Sequence, residues 1–266
     1  MTTGLTTPVS GSPAQSAVGR WLAPPMPGKS QAKFKMWCFP FAGGAASIYH
    51  PWRKLAPDWL AMQPILLPGR ERRIAEPCIR SLDQLIEIAA PVLAEAMSQD
   101  VVFFGYSMGA MIAFEMARAM RRLGAPLPRH LIVAALRAPQ LPDPLPATHL
   151  MADEELKRQT KQRYGECNGA LDNPDLCALL LPVLRADLCL CETYRYRPEA
   201  PLECPISVLG ATHDWVVPPQ SLSGWAEQTT MPRSTKLFDG GHFFLQDKPA
   251  EVLNWVQQEL LNSGER

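Results

Sequence analysis

No apolar run in this chain of 266 residues approaches the roughly 18 needed to cross a bilayer; the longest, LIVAAL (131–136) and LCALLLPVL (176–184), stop well short. Net charge is missing too. Its 26 basic and 26 acidic residues cancel, which leaves no electrostatic footprint for nucleic acid or for an anionic membrane. The seven cysteines (38, 78, 167, 177, 189, 191 and 204) include no C-x-x-C pair. Their odd number and uneven spacing fit neither a disulfide framework nor a metal site, so packed, reduced thiols are expected. Cys189 and Cys191, two apart on an expected helix, do not face a common ion. G-x-G-x-x-G and the P-loop lysine are both absent, which argues against nucleotide binding. The first residues lack the basic-then-apolar layout of a secretory leader, and a cytoplasmic location is expected.

What is present is a chain of ordinary globular composition, 47% hydrophobic and 20% charged, long enough for one large domain. Residues 1–33, rich in Pro, Ser, Gly, Ala and Thr, read as a mobile or loosely draped arm with Trp21 and Leu22 as local anchors. After them, apolar runs alternate with helical patterns. Strands are expected at 33–41, 61–69, 101–105, 130–136, 204–211 and 234–240. A helix over 81–97 carries apolar residues at helical spacing, a capping box from Ser81 and Gln84, and an internal Pro91. Helices over 108–123 and 248–261 follow, the last with Val252, Leu253, Val256 and Leu260 inward. On the 108–123 helix, Glu115, Arg118 and Arg122 share one side and read as a solvated face with mild ion pairs. Continuously apolar strands separated by helices imply an α/β domain with a parallel sheet covered on both faces. Residues 140–200 interrupt this rhythm with helical segments and no convincing strand. They read as a lid over a site, a structural helical hairpin being the alternative.

At the junction of strand and helix stands GYSMG (105–109), a G-x-S-x-G pattern in the context that gives it meaning. A sharp turn there lifts the Ser107 hydroxyl clear of the sheet, and Gly105 and Gly109 leave room for the closely passing backbones. A serine hydroxyl is a weak nucleophile near neutral pH and needs a base held by an acid. With this pattern the chain order is Ser, acid, His. His242, in DGGHFFL after the last strand, is the expected base; Asp214, in ATHDW after the preceding strand, is the expected acid. Asp239 is the rival acid. His213 reads as a loop residue, and His50, His130 and His149 precede the required order. Acyl chemistry further needs N–H donors for an oxyanion. Met108, next to the serine, supplies one; the loop FPFAGGAAS supplies the other from Ala42, or else Phe41.

The set CFPFAGG, LPGRERR, FFGYSMGAMIAFEMARAM, LPVLRADL, YRYRPEAPLECPISVLGATHD and DGGHFFL closely resembles the type II thioesterases of polyketide and nonribosomal peptide synthesis. Medium-chain thioesterases associated with fatty acid synthase are close relatives. The similarity runs from about residue 34 to 260 and leaves residues 1–33 outside. It implies an α/β-hydrolase fold over residues 34–262 with the helical lid at about 140–200. It also implies hydrolysis of acyl thioesters on the phosphopantetheine arm of an acyl or peptidyl carrier protein, with no metal or diffusible cofactor. By position Ser107, Asp214 and His242 match the family's triad, and Ala42 and Met108 its oxyanion donors. Tyr106 departs from it, since a histidine is common before the nucleophile. Arg70, Arg72 and Arg73 either meet an acidic carrier protein or a phosphate, or form structural ion pairs. Asp187, in the lid motif RADL, has no derivable role. A carboxylesterase, an acyltransferase and a non-catalytic carrier-protein-binding subunit remain alternatives.

Overall fold

The computed structural model describes residues 13–165, 169 and 171–262; the start of the expected arm and Cys167 lie outside them. Six strands form one sheet: β1 (Phe34–Phe39), β2 (Leu60–Pro64), β3 (Val101–Tyr106), β4 (His130–Ala134), β5 (Ile206–Ala211) and β6 (Arg233–Phe238). Their order is β2-β1-β3-β4-β5-β6, and every neighbouring pair is parallel. This is the α/β-hydrolase architecture with helices on both faces. The second strand is shorter than expected. It stops at Pro64, paired with Cys38, and one more N–H, that of Ile65, donates to the Cys38 carbonyl at 2.9 Å before the chain leaves the sheet.

The period of two along the strands divides the core. Trp37, Phe103, Leu131, Val133 and Val208 point to one face. There they pack on α3 (Leu82–Ala94) and α4 (Met108–Arg122). Met36, Phe104, Ile132 and Leu209 point to the other, against α2 (His50–Leu55), the short α7 (Phe244–Asp247) and α8 (Pro249–Asn262). Each such side chain contributes about 1.5–3 kcal/mol of transfer free energy. Helix α8 buries Val252, Leu253, Val256 and Leu260, the face its period predicts. Ser81 Oγ accepts from Gln84 N–H at 3.4 Å at the start of α3, and Pro91 sits inside that helix.

Two sequence expectations change. Part of the arm is helical: α1 (Pro13–Trp21) precedes the sheet, where no helix was expected, while Trp21 and Leu22 are buried as the anchors they were expected to be. Leu22 bridges Ile65, and the Arg73 guanidinium lies 4.3 Å from the Trp21 ring centroid. The face of Glu115 and Arg118 is not solvated. Arg118 is only 2% exposed, because the chain after the lid folds back across α4. Arg118 pairs with Glu115 at 2.6 Å and Glu199 at 2.8 Å, and Tyr194 Oη donates to Glu115 at 2.7 Å. Arg122 alone keeps an exposed position, paired with Glu199.

Helices α5 (Asp153–Tyr164) and α6 (Pro174–Thr193) stand between β4 and β5, with no strand among the described residues of 140–200. Leu156 of α5 packs on Leu181, Leu184 and Leu188 of α6. No described helix is long and apolar enough to cross a membrane.

A polar cluster joins β4, β5, β6 and α8. His130 Nε2 lies 2.7 Å from Ser207 Oγ, which lies 2.7 Å from Ser234 Oγ; Ser234 donates to Glu259 at 2.7 Å. Burial, with Arg129 adding to it and Glu259 opposing, pushes the His130 pKa down to about 4. The unfolded chain takes up that proton near pH 6.5. Stability therefore falls as pH drops from 6.5 to 4, by up to about 3 kcal/mol. Urea unfolding at pH 7 and 4.5 should show a loss that is smaller by about 2 kcal/mol in His130→Gln; equal losses would contradict this origin.

Candidate active site

The chain passes from β1 to β2 on one side and then crosses to β3 on the other. The connections after β1 and β3 therefore diverge at the carboxyl ends of those strands, and a crevice opens where they part. Ser107 stands at that point, directly after β3, at φ 53° and ψ −118°. This strained conformation is the sharp turn that the sequence pattern requires. Crowding explains both glycines. A Cβ on Gly105 would come within 2.3 Å of the Gly109 carbonyl oxygen, and one on Gly109 within 2.0 Å of the Phe39 carbonyl oxygen.

The other two expected residues arrive from the far strands. His242 lies in the turn after β6, and its Nε2 is 3.1 Å from Ser107 Oγ. Its Nδ1 is 2.8 Å from Asp214 Oδ2, on the loop after β5. Asp214 is 3% exposed and His242 8%. The second carboxylate oxygen, Asp214 Oδ1, accepts from the N–H groups of Val216 and Val217 at 3.0 Å each, which fixes the plane of the carboxylate. The rival, Asp239, is exposed and turned outward, with Lys248 at 3.3 Å and His213 at 3.5 Å. Of the remaining histidines, His50 is exposed, while His149 Nδ1 lies 2.5 Å from Glu192.

Tyr106 has a place that the sequence did not disclose. Its hydroxyl donates to the backbone carbonyl of His242, and its buried ring stacks 6.1 Å from the imidazole at an interplanar angle of 21°. Burial and then the charges of Asp214 and Asp247 hold the phenol well above its usual range, so it remains a donor. The phenol fixes the histidine turn from below. In Tyr106→Phe, kcat should fall about tenfold with the ring packing retained; an unchanged kcat would show that the phenol leaves the imidazole where it is.

A cavity of about 450 Å³ opens at Ser107. Tyr164, Leu171, Leu180, Leu184, Leu188 and Phe243 line it, so both lid helices and the turn after β6 contribute apolar wall. The Tyr164 ring lies 5.0 Å from the His242 ring. The loop after β1 forms the opposite rim with Phe41, Ala42 and Gly43. Among the described residues, the N–H groups of Ala42 and Met108 have no hydrogen-bond partner within the chain.

The arginines of LPGRERR divide. Arg70 is buried against Asp187, and Arg73 makes paired hydrogen bonds to Glu76 at 2.9 and 2.7 Å. Arg72 is exposed and donates to the Gly19 carbonyl. For Arg70 and Arg73 the structural alternative holds, because both are consumed by internal partners.

The thioesterase domain family matches residues 34–260. Gramicidin S biosynthesis protein GrsT of Aneurinibacillus migulanus is 37% identical, over 87% of this chain and 90% of that protein. Thioesterase PikA5 of Streptomyces venezuelae is 34% identical, over 91% of this chain and 86% of that protein. Among solved structures, the type II thioesterase BorB from the borrelidin biosynthetic cluster superposes with a TM-score of 0.82 at 35% identity, covering 90% of this chain and 97% of that one. RedJ, the thioesterase of the prodiginine pathway in Streptomyces coelicolor, does so with a TM-score of 0.80 at 33% identity, covering 95% and 91%. With its crevice serine, its helical lid and these relatives, the chain belongs to the thioesterase family, alongside the type II thioesterases of polyketide and nonribosomal peptide biosynthesis.

Proposed function

We propose that this protein is an editing thioesterase that removes acyl groups from the phosphopantetheine arm of a carrier protein in polyketide or nonribosomal peptide synthesis, through an acyl enzyme on Ser107. The observation that carries the reading is the continuous hydrogen-bonded line Asp214–His242–Ser107, at 2.8 and 3.1 Å, ending at the mouth of an apolar cavity.

His242 Nε2 takes the Ser107 proton as Oγ attacks the thioester carbonyl, and Asp214 holds Nδ1–H and stabilises the imidazolium. The carbonyl oxygen becomes negative and accepts from the N–H groups of Ala42 and Met108. Collapse breaks the C–S bond; the pantetheine sulfur leaves with the proton held by His242. Water then loses a proton to His242 and attacks the acyl-serine, and the acid is released as Ser107 recovers its proton. The scheme needs no metal or diffusible cofactor, since phosphopantetheine arrives with the substrate. The apolar lining from α5 and α6 suits an aliphatic acyl chain, and a cytoplasmic carrier protein is the partner this reading implies.

The test compares acyl groups loaded on carrier proteins with the same acyl groups on simple oxygen esters, and identifies the product. Faster release from the carrier protein as free acid supports the proposal. Preference for oxygen esters makes the protein a carboxylesterase, and transfer to an added acceptor makes it an acyltransferase.

A further inference from the structure

Asp187, on α6, is 2% exposed, and its carboxylate is fully engaged. Arg70 Nη1 and Nη2 donate to its two oxygens at 2.7 Å each. The Gly43 backbone N–H donates to the same group at 2.8 Å. Arg70, 8% exposed, also donates from Nη1 to the Gly44 carbonyl at 2.9 Å. Burial lowers the Arg70 pKa, but hydrogen bonds and charge from Asp187 outweigh it, and the net shift is upward. The next residue, Glu71, accepts from the Ala46 and Ser47 N–H groups at 3.2 and 2.9 Å. The loop after β1 is thus held from the lid by Asp187 and from the turn at 70–71 by two side chains. Gly43 adopts φ 77°, and a Cβ there would sit 3.3 Å from Leu184 Cδ1 of α6, so the loop and the lid helix are in close contact.

Three peptide units are involved. The Gly43 N–H and the Gly44 carbonyl are each tied to the pair, while the N–H of Ala42, one residue earlier, has no partner among the described residues, and Ala42 lines the cavity. A buried ion pair adds little net stability over an apolar filling of the same space, because both charges must be desolvated. Its directional hydrogen bonds to backbone groups are what an apolar filling could not supply. The guanidinium also cancels a carboxylate charge that would otherwise stand next to a developing oxyanion.

We propose that Arg70 and Asp187 are positioning residues that orient the loop Phe41–Gly44, and through it the Ala42 N–H, for the negative oxygen of the tetrahedral intermediate. This rests on the acyl-serine reading above. Neither residue of the pair lines the cavity. It acts through the loop, and it joins the wall of the acyl cavity to the oxyanion site.

The test uses the full chain with an acyl N-acetylcysteamine thioester, counting competent sites by endpoint labelling of Ser107 with a fluorophosphonate. For Arg70→Met and Asp187→Asn, kcat per labelled site should fall about 100-fold, with KM within about threefold. Affinity for a trifluoromethyl ketone analogue of the tetrahedral adduct should fall in the same ratio as kcat/KM. Arg70→Met with Asp187→Leu removes the uncompensated carboxylate but also the Gly43 anchor, so kcat should stay about 100-fold down, and recovery to the wild-type kcat would overturn the proposal. Arg70→Lys, which keeps the charge but loses the fork, should retain more activity than Arg70→Met. A kcat per labelled site within about threefold of wild type in the single variants would overturn the proposal. So would a loss confined to KM. If those variants do not fold, the wild-type Gly43 amide decides: hydrogen exchange as slow as that of β1 supports the clamp, and rapid exchange overturns it. A wild-type chain that neither labels at Ser107 nor hydrolyses the thioester would sink the acyl-serine reading, and this one with it.

Discussion

Ser107→Ala should lower thioester turnover about a million-fold, with the fold intact. The serine side chain is only partly buried, and among the described residues its hydroxyl has one side-chain hydrogen-bond partner, His242 at 3.1 Å. Alanine keeps the Cβ that the turn at φ 53° already accommodates, and the Ser107 N–H still donates to the Ala134 carbonyl at 2.8 Å. Only the hydroxyl proposed as nucleophile is removed. Bound water attacking directly, with the N–H groups of Ala42 and Met108 still in place, sets the residual rate. Initial rates and a thermal melt on the same preparation check both halves of the prediction. Wild-type turnover in a folded, uncontaminated Ser107→Ala would end the mechanism.

Asp214→Asn should cost about 10⁴ in kcat, and the reason is the direction of its hydrogen bonds. One carboxylate oxygen accepts from the Val216 and Val217 N–H groups, which leaves the other for His242 Nδ1. An asparagine must keep its single carbonyl oxygen on those two N–H groups, so its NH₂ turns toward Nδ1. The imidazole then accepts at Nδ1 and carries its proton on Nε2, where it cannot take one from Ser107. The loss should therefore appear in kcat with little change in KM. Asp239→Asn, at the exposed rival position, should stay within about threefold of wild type. The reverse order of effects would move the acid to Asp239.

The site was legible because its signals are local. G-x-S-x-G between an apolar run and a helix places Ser107, and the fixed chain order assigns Asp214 and His242 to loops after the last two strands. The two glycines of the pattern are required by backbones passing within 2.3 Å of where a side chain would start. Strand positions followed from apolar runs, with ends displaced where the chain bends into the loops.

What stayed hidden is long-range. Arg70 and Asp187 are 117 residues apart, and nothing in LPGRERR says that one arginine turns inward while Arg72 stays out. Arg118 looked solvated because helical spacing alone does not show that residues 194–199 return to cover it. Within residues 1–33 the sequence marks Trp21 and Leu22 as anchors, but not the Arg73 guanidinium that lies 4.3 Å from the Trp21 ring. In the sequence Tyr106 shows only as a departure from the histidine common before the serine; its contact with the His242 carbonyl forms only once β3 and the last turn meet.

The central claim, that Ser107 is the residue through which acyl groups pass, is tested most directly by titrating the protein with a fluorophosphonate while following hydrolysis of a carrier-bound acyl thioester. The account predicts that activity falls in proportion to a single label per chain, mapped to the peptide containing Ser107 and absent from Ser107→Ala. Full activity with Ser107 fully labelled, or proportional inactivation by a label on another residue, would contradict it.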